Sequence, residues 1–407
     1  MGGAHSHGTH HTAAVPTGRL PRRLLLGGLA LAALATVVGL VALWPSADRP
    51  SVPYAAEGVT FPEATVVEVG EPCPVIVSDP ALAPEERVSF PEGCDELVVE
   101  LVSGDRRTVR MPPGVAGSGL RAGDTVELSR IPGEGSAPTT YAWFSIERST
   151  PLLVMAVAFA LVVGAVARLR GLLALVGLGF AGAVLWFFML PALLDGGTGL
   201  GIALAGSSLI MFVVLYLAHG PSVRTSTALA GTLIGMVVIA VVGEMAVRAA
   251  RLGGVSAEGT ELLWTYAPEL DFGGLLTCAV IVAGLGVLND VTITQSSSVW
   301  EIRAAGPQLT RREVFVSGMR IGRDHIASTI YTIVFAYAGT ALGVLLLVSL
   351  YDRGMAALLS DESVSEEIVR TLAAGIGLVL AVPVTTGIAA LTVAGPTAPG
   401  GASAAPS

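Results

Sequence analysis

The sequence predicts a mainly α-helical, polytopic membrane protein with about eight transmembrane helices and a small extracytoplasmic β-rich domain inserted between helices 1 and 2. Three observations predict this class. The 407 residues are 52% hydrophobic and only 14% charged, whereas about a quarter of the residues in soluble domains are charged. Eight apolar runs reach the roughly 20 helical residues that a bilayer requires. The basic residues between these runs fall almost entirely on one side.

The eight apolar runs are the predicted transmembrane helices. The first run follows a basic segment near the N-terminus, so a cleaved signal peptide is one alternative. Its length exceeds the roughly 7 to 15 apolar residues of such a peptide, which favours a retained signal anchor. The predicted spans are residues 24–44, 151–167, 171–194, 199–218, 226–246, 272–293, 326–350 and 368–393.

The arginines predict the orientation, because short cytoplasmic loops collect positive charge and the chain contains no lysine. If the spans alternate, only Arg248, Arg251 and Arg353 lie in the short loops of the opposite side. The N-terminus, and with eight spans also the C-terminus, is therefore predicted to be cytoplasmic. The arginines on the predicted cytoplasmic side are Arg19, Arg22, Arg23, Arg168, Arg170, Arg224, Arg303, Arg311, Arg312, Arg320 and Arg323.

Residues 45–150 are polar and rich in proline, unlike the apolar runs around them. Segments 64–69, 96–102, 107–111 and 124–129 alternate apolar and polar residues between Gly, Pro and Asp, a pattern typical of strands and turns. Several short strands in a segment of this size predict a small barrel of the OB or SH3-like kind. Because the segment is acidic and lacks an aromatic platform, we do not expect it to bind nucleic acid.

The two cysteines of this segment, Cys73 and Cys94, lie on the predicted oxidising side of the membrane, where disulfides form and persist. We therefore expect them to pair. Closing a loop of this length would stabilise a small domain by about 3 kcal/mol in the chain-entropy model. Cys278 lies alone in the sixth span and is expected to be a small core residue.

Residues 1–23 form a histidine-rich tail that is predicted to be disordered and cytoplasmic. A histidine cluster of this kind can bind a transition metal weakly. Because no carboxylate or cysteine accompanies it and no fixed geometry is implied, a solvated tail without a site is the alternative. Residues 394–407 form a second predicted disordered cytoplasmic tail. The clustered histidines are His5, His7, His10 and His11.

Ionisable side chains near the bilayer centre cost about 2.5 to 3.5 kcal/mol on insertion scales, so each needs a partner or a purpose. Glu244 in the fifth span precedes Arg248 by four residues, which is the favourable order for a helical ion pair. A structural ion pair is the first expectation, since Arg248 can also extend its side chain toward the membrane surface.

The end of the sixth span is the candidate site, because an apolar helix becomes densely polar there before it leaves the membrane. At helical spacing Asp290 and Thr294 share one face, as do Asn289 and Thr292. Converging oxygens suit a cation or a water-filled vestibule, and hydrogen bonding between helices is an equal alternative. The predicted polar pathway comprises Asn289, Asp290, Thr292, Thr294, Gln295, Arg320, Arg323, Asp324 and His325.

Thr310 and Glu313, in the loop after the sixth span, have the spacing of a capping box and predict the start of a helix. The basic and apolar residues of this helix suit the cytoplasmic interface. The helix leads to the foot of the seventh span, where Arg320 or Arg323 would come close enough to neutralise Asp290.

Ser363 and Glu366, before the last span, have the same capping-box spacing. Glu366 also stands four residues before Arg370, which is the spacing of a helical ion pair. Both features predict a structural start of the last helix.

The motifs of common enzyme classes are absent from the sequence. It has no Gly-x-x-x-x-Gly-Lys phosphate loop, no His-Glu-x-x-His zinc site and no Gly-x-Ser-x-Gly nucleophile elbow. No nucleophile with a paired base is recognisable. The chain is therefore not expected to be an enzyme, and no cofactor is expected.

Five segments carry a family resemblance: GVLNDVTITQ at 286–295, SGMRIGRDH at 317–325, AYAG at 336–339, YLAHG at 216–220 and GLVLAVP at 377–383. Together they resemble the YibE/F-like family of bacterial membrane proteins. The likeness extends over roughly residues 60–393 and implies an integral membrane protein with an extracytoplasmic β-rich segment, without a defined activity. Asn289 departs from the family pattern where an acidic residue is frequent, and Tyr331 departs where asparagine is usual, so a paired-carboxylate site is not expected.

The leading expectation is a permease or transporter of a cation or small solute, with Asp290 and Arg323 at the cytoplasmic end of its pathway. The alternative is a non-transporting envelope scaffold or regulatory membrane protein whose outer domain binds an envelope protein partner. In either case the lipid bilayer surrounds the chain in the bacterial plasma membrane, residues 45–150 lie outside, and no nucleic acid partner is expected.

Overall fold

The structure is a computed structural model that describes residues 15–46, 52–73, 94–112, 114–133, 137–255, 260–350, 354, 356 and 359–396. It divides into two compact units, which are described separately below. One unit, Met1–Pro50 with Val163–Ser407, contains most of the helical residues, and the other, Ser51–Val162, contains a β-sheet. The predicted histidine cluster, His5, His7, His10 and His11, lies outside the described residues.

The β-sheet is antiparallel and has the strand order β3-β2-β1-β4-β5. Its edge strands β3 and β5 approach each other, and the guanidinium carbon of Arg107 lies 5.7 Å from the ring centre of Tyr141. The sheet is therefore nearly closed, and the predicted barrel-like architecture is confirmed. The strands are β1 Glu63–Val69, β2 Glu96–Leu101, β3 Arg106–Arg110, β4 Thr125–Ile131 and β5 Thr140–Ile146.

The alternation of buried and half-buried residues explains which strands could be predicted from the sequence. Along β2, Leu97 and Val99 are fully buried while the residues between them are half-buried, which is the pattern of a sheet with one face on a core. β5 was not predicted. Almost all of its residues are half-buried, so it lacks the strict alternation by which a strand is recognised.

A disulfide joins Cys73 and Cys94, 21 residues apart, beside the start of β2. The backbone N–H of Cys73 also donates a hydrogen bond to the Asp95 carboxylate at 3.2 Å. These contacts hold the segment that follows β1 against the start of β2. Residues 74–93 lie outside the described residues.

The helical unit contains long apolar helices. Within the described residues, six helices are long and apolar enough to cross a membrane: Arg19–Ala42, Ser149–Leu194, Gly199–His219, Val223–Ala250, Phe272–Ala305 and Glu362–Thr392. The helices are α1 Arg19–Ala42, α2 Ser149–Val184, α3 Leu190–Leu194, α4 Gly199–His219, α5 Val223–Ala250, α6 Thr260–Tyr266, α7 Phe272–Ala305, α8 Arg311–Thr340, α9 Leu342–Leu350 and α10 Glu362–Thr392.

α2 bends sharply at Arg168, which has the non-helical angles φ 56° and ψ −141°. A β-carbon at Gly171 would lie 2.9 Å from the carbonyl oxygen of Val163, eight residues earlier. Eight residues of straight helix rise by about 12 Å, so the chain must turn back to make this contact. The bend falls between the predicted second and third spans.

α7 and α8 extend further than the sequence predicted. α7 continues to Ala305, beyond its predicted span. The helix predicted to begin after Thr310 and the span predicted from residue 326 form one helix, α8, which begins at Arg311 and breaks at Ala341 before α9. The 34 residues of α7 correspond to about 51 Å of helix, well beyond an apolar layer of about 30 Å. The sequence pattern located the apolar part of α7 and missed its polar end, whereas for α8 it located the start but not the continuity with the following span.

α5, α7 and α10 pack against one another and form the centre of the helical unit. Glycines permit the close approach, since a β-carbon at Gly235 would lie 2.8 Å from Leu288 Cδ2 and one at Gly377 would collide with Ile239. Close packing through small residues is typical of helices in membranes. The candidate site residues of α7 lie on this central helix.

Candidate functional site

α7 and α8 run antiparallel and bring the predicted pathway residues of both helices together. Asp290 of α7 lies beside His325 of α8. Five residues later on α7, Gln295 contacts Gly318 and Gly322 of α8. Residue numbers increase along α7 while those of the contacted residues decrease along α8, so all of these contacts belong to one antiparallel interface.

Gln295 is buried and joins three helices. Its side-chain amide donates hydrogen bonds to the carbonyl oxygen of Gly318 at 2.7 Å and to Thr386 Oγ1 of α10 at 2.8 Å. Only a glycine fits opposite it, because a β-carbon at Gly322 would lie 2.6 Å from Val382 Cγ1 and 3.0 Å from Gln295 Oε1. Gln295 therefore acts as an interhelical link.

Thr292 is also buried and links α7 to α5. Its Oγ1 lies 2.7 Å from Thr232 Oγ1, and each hydroxyl is also within hydrogen-bond distance of a carbonyl of its own helix. Because each hydroxyl has a single proton, one of the two donates across the interface while the other donates within its own helix. One turn further on, the Ser296 hydroxyl donates to the carbonyl oxygen of Arg224 at 2.8 Å. Of the two alternatives for this polar segment, the buried residues show hydrogen bonding between helices. Thr294, between them, is half-buried.

Asp290 and His325 form the part of the predicted pathway that is open. Asp290 Oδ2 and His325 Nε2 are 3.7 Å apart, and their side chains are 68% and 27% exposed. His325 Nε2 and Asn289 Oδ1 are themselves buried atoms without a hydrogen-bond partner in the described part of the chain. Buried polar atoms in proteins are normally partnered, so such a pair calls for an explanation.

The prediction that Arg320 or Arg323 neutralises Asp290 is wrong. Within the described residues no arginine lies at ion-pair distance from Asp290, and His325 occupies that position. Helical periodicity is the reason: Arg323 is two residues and Arg320 five residues from His325, so both point away from α7. Arg320, Arg323 and Asp324 are exposed, and Arg320 Nη2 lies 3.5 Å from Ser317 Oγ.

The predicted ion pair of Glu244 is confirmed. Arg248 Nε donates to Glu244 Oε1 at 2.6 Å, and Thr277 Oγ1 of α7 donates to Glu244 Oε2 at 2.8 Å. Both carboxylate oxygens therefore have partners. The pair borders a cavity of about 750 Å³ between the starts of α4 and α7.

The start of α10 differs from the prediction. Its N-cap is Asp361, whose side chain accepts from the Ser363 N–H, and the helix already begins at Glu362. The predicted box at Ser363 is therefore wrong, because Ser363 lies inside the helix. Arg370 pairs with Glu367, three residues before it, rather than with Glu366.

This ion pair lines a cavity that sequence reasoning missed. The cavity has a volume of about 530 Å³ between α8 and α10, and Tyr337 lines it from α8. An apolar groove of about 360 Å³ adjoins it at Val334 and Thr371 and reaches Ile330 on α8. Two signals were available in the sequence, the Glu367 and Arg370 spacing and a tyrosine in an apolar span.

Within the described residues, no group of three or more His, Cys, Asp or Glu side chains could hold a metal ion. Cys278 is buried among apolar residues of the helical core and its thiol is free. The candidate functional site is therefore the Asp290 and His325 pair, together with the adjacent Asn289 Oδ1, which like His325 Nε2 has no hydrogen-bond partner among the described residues.

Comparison with known proteins places the helical unit in a family. The family model described as YibE/F-like protein matches residues 155–395, more than half of the chain and all of α4 to α10. Searches of curated proteins and of solved structures gave no significant match. The resemblance carried by the segments around Asp290 and His325 is therefore confirmed, and the chain belongs to the YibE/F-like family.

Proposed function

We propose that the protein is a permease that moves a cation or small solute across the bacterial plasma membrane, with Asp290 and His325 at the inner end of its route. The observation that carries this proposal is a carboxylate 3.7 Å from an imidazole between two packed helices, beside buried polar atoms that have no hydrogen-bond partner among the described residues. A carboxylate and an amide oxygen are ligands that hard cations accept.

The depth of this pair supports the proposal. Asp290 follows Phe272, the first residue of α7, by 18 residues, or about 27 Å of helix, against an apolar layer of about 30 Å. Asp290 therefore reaches the far edge of the layer that α7 crosses. An ionisable residue at such a position marks a functional site by default.

We further propose eight crossings with both termini in the cytoplasm. The crossings are α1, the two parts of α2 on either side of Arg168, α4, α5, α7, α8 with α9, and α10. The arginine-rich start of α8 then lies in the cytoplasm, as positive charge in short inner loops requires. Residues 45–150 lie on the outside, where the disulfide between Cys73 and Cys94 forms and persists.

The route follows the groove between α8 and α10. At the outer end, Glu367, Arg370 and Tyr337 line a cavity of about 530 Å³. The apolar groove continues from there to Ile330, which is five residues, about 7.5 Å of helix, from His325. Polar groups at both ends and an apolar constriction between them are typical of a gated pathway.

Flux in proteoliposomes tests the proposal. The full-length protein is reconstituted, and movement of H⁺, Na⁺, K⁺ and Mg²⁺ is followed with entrapped fluorescent indicators. Asp290→Asn and His325→Gln should each reduce the flux to that of protein-free liposomes. Glu301→Gln is the matched control, because Glu301 is an exposed carboxylate near the end of α7, eleven residues beyond Asp290. Full flux in Asp290→Asn would overturn the assignment of the site.

An envelope scaffold is the second candidate, and one observation favours it. Tyr54, Phe61 and Phe144 of the β-sheet unit form an aromatic cluster with ring centres 4.5 to 5.9 Å apart. Tyr54 is 79% exposed, and aromatic residues are enriched at protein interfaces. The scaffold is the better account if wild-type protein moves no ion and captures a stoichiometric envelope protein that Tyr54→Ala no longer captures.

A further inference from the structure

We propose that α8 is the interface of a homodimer, in which a second copy of this chain covers the face formed by Arg320, Asp324, Ser328, Tyr331 and Phe335. These five residues, here called the α8 stripe, are all exposed, and Tyr331 and Phe335 are 64% and 72% exposed. Their spacing of three or four residues places them on one side of the helix. This inference goes beyond transport and does not depend on it, but it rests on the membrane placement of α7 and α8 proposed above.

The opposite side of α8 is the one that packs within the chain. Gly318, Gly322, Thr329 and Ile333 are buried against α7 and α10. α8 therefore lies at the edge of the helical unit, with its packed side and its stripe on opposite faces.

The composition of the α8 stripe does not suit lipid chains. His325 lies at the level of Asp290, near the edge of the apolar layer, so Ser328 and Tyr331 lie about one and two turns inside it. The Ser328 hydroxyl bonds the His325 carbonyl of its own helix, whereas a tyrosine at the depth of Tyr331 is normally covered by another helix. α8 is accordingly missing from the helices of the described chain that are apolar enough to cross a membrane alone.

A different exposed helix shows the contrast. The first part of α2, residues 149–167, is exposed along most of its length and carries only apolar residues after Thr150. Lipid chains alone can solvate such a face. The α8 stripe instead carries Tyr331 inside the layer and the opposite charges of Arg320 and Asp324 at its cytoplasmic edge, a combination that suits a protein partner better than lipid.

Charge complementarity identifies the partner as a second copy. Arg320 and Asp324 carry opposite charges one helical turn apart, and neither forms an ion pair within the described residues. A two-fold axis along the membrane normal would place the two α8 helices side by side in the same direction. Each Arg320 then reaches Asp324 of the partner subunit, so one contact occurs twice, as in an isologous interface. Tyr331 and Phe335 would supply its aromatic centre.

Cysteine crosslinking tests the interface. Ser328→Cys is introduced into the full-length chain, where Cys73 and Cys94 are paired and Cys278 is buried. Oxidation in native membranes should give a covalent species of twice the 41.4 kDa chain mass. Val241→Cys is the control, because Val241 is 53% exposed on α5, away from the stripe. Equal crosslinking at both positions, or none at Ser328→Cys, would overturn the proposal.

Charge exchange tests the contact itself. Arg320→Asp and Asp324→Arg should each weaken dimerisation about tenfold or more, because like charges then face each other. Combining them restores opposite charges, so the double variant should dimerise again. Arg323→Asp, an exposed charge on another side of α8, should have little effect. A chain that remains monomeric by light scattering in lipid nanodiscs, or a crosslink to a different protein, contradicts a second copy as the occupant.

Discussion

The side-chain amide of Gln295 donates a hydrogen bond to the backbone carbonyl of Gly318 at 2.7 Å, across the interface between α7 and α8. The same amide donates to Thr386 on α10. A β-carbon at Gly318 would lie 2.9 Å from Thr386 Cγ2, so a larger residue at position 318 would push apart the groups that the Gln295 amide joins. The glycines of the Ser-Gly-Met-Arg-Ile-Gly segment therefore have a packing role.

Gln295→Ala should lower the free energy of unfolding by about 2 kcal/mol, because it removes two interhelical hydrogen bonds and leaves a void. Thermal unfolding of the purified protein in detergent measures the change. Ser298→Ala is the control, since its hydroxyl donates only to the Thr294 carbonyl of its own helix. An equal loss of stability in both variants would contradict the interhelical role of Gln295.

Gly322→Ala should destabilise the protein by about 1 to 3 kcal/mol, because the added methyl group overpacks the contact with Val382 and Gln295. Gly339→Ala is the matched substitution on the same helix, where no atom lies within 4 Å of the new methyl group. The two variants are compared by thermal unfolding under the same conditions. If Gly339→Ala is the more damaging, the packing of α8 is not as described.

Thr232 and Thr292 should show a positive coupling energy in a double-mutant cycle. Their hydroxyl oxygens are 2.7 Å apart and buried, and hydrogen bonds of this kind in membrane proteins average about 0.6 kcal/mol with a maximum near 1.7. Unfolding energies of Thr232→Val, Thr292→Val and the double variant give the coupling. Strict additivity would mean that each hydroxyl is satisfied by its own helix alone.

Much of the fold could be predicted because its signals are local. Apolar runs located the long apolar helices, alternation located four strands, and the spacing of Thr310 and Glu313 predicted a capping box that the structure contains. The ion pair of Glu244 and Arg248 is likewise a contact within one turn of helix. Such features depend on residues three or four apart, so one sequence contains them.

The candidate site was predicted only in part because it depends on how helices rotate against each other. Asp290 and Gln295 both belong to one polar segment, yet Asp290 is open and Gln295 is fully packed. Sequence spacing places residues on a face of α7 but does not say which face meets α8. For the same reason sequence spacing did not identify the partner of Asp290, which is His325 rather than Arg323 or Arg320, two and five residues before it on α8.

Removing the disulfide should destabilise the β-sheet unit by about 3 kcal/mol, the value expected for closing a loop of this length. The variant Cys73→Ser with Cys94→Ser is compared with wild type, as full-length protein, by pulse proteolysis in increasing urea. Cys278→Ala is the control, because Cys278 lies in the helical core and not in the β-sheet unit. Unchanged cleavage of the double variant would show that the disulfide does not stabilise this unit.

The start of α8 should open as the pH falls, because Glu313 must be ionised to cap it. The pKa of Glu313 lies below its ordinary value of 4.5, first because the Thr310 N–H donates to its carboxylate and second because the Thr310 hydroxyl does so too. The distances are 2.7 and 2.8 Å. A lowered pKa in the folded state means that the cap contributes fully above the ordinary value and is lost as the pH falls through the lower one.

Hydrogen exchange at residues 310–316, corrected for the intrinsic pH dependence of exchange, measures this opening. These residues precede the part of α8 that we assign to the membrane, so water reaches them. Protection in wild type should decrease below the ordinary pKa of Glu313, whereas Glu313→Gln should show weaker protection that no longer depends on pH in this range. Glu301→Gln, an exposed position near the end of α7, should retain the wild-type profile. A pH dependence that persists in Glu313→Gln would assign the transition to another group, because glutamine cannot ionise.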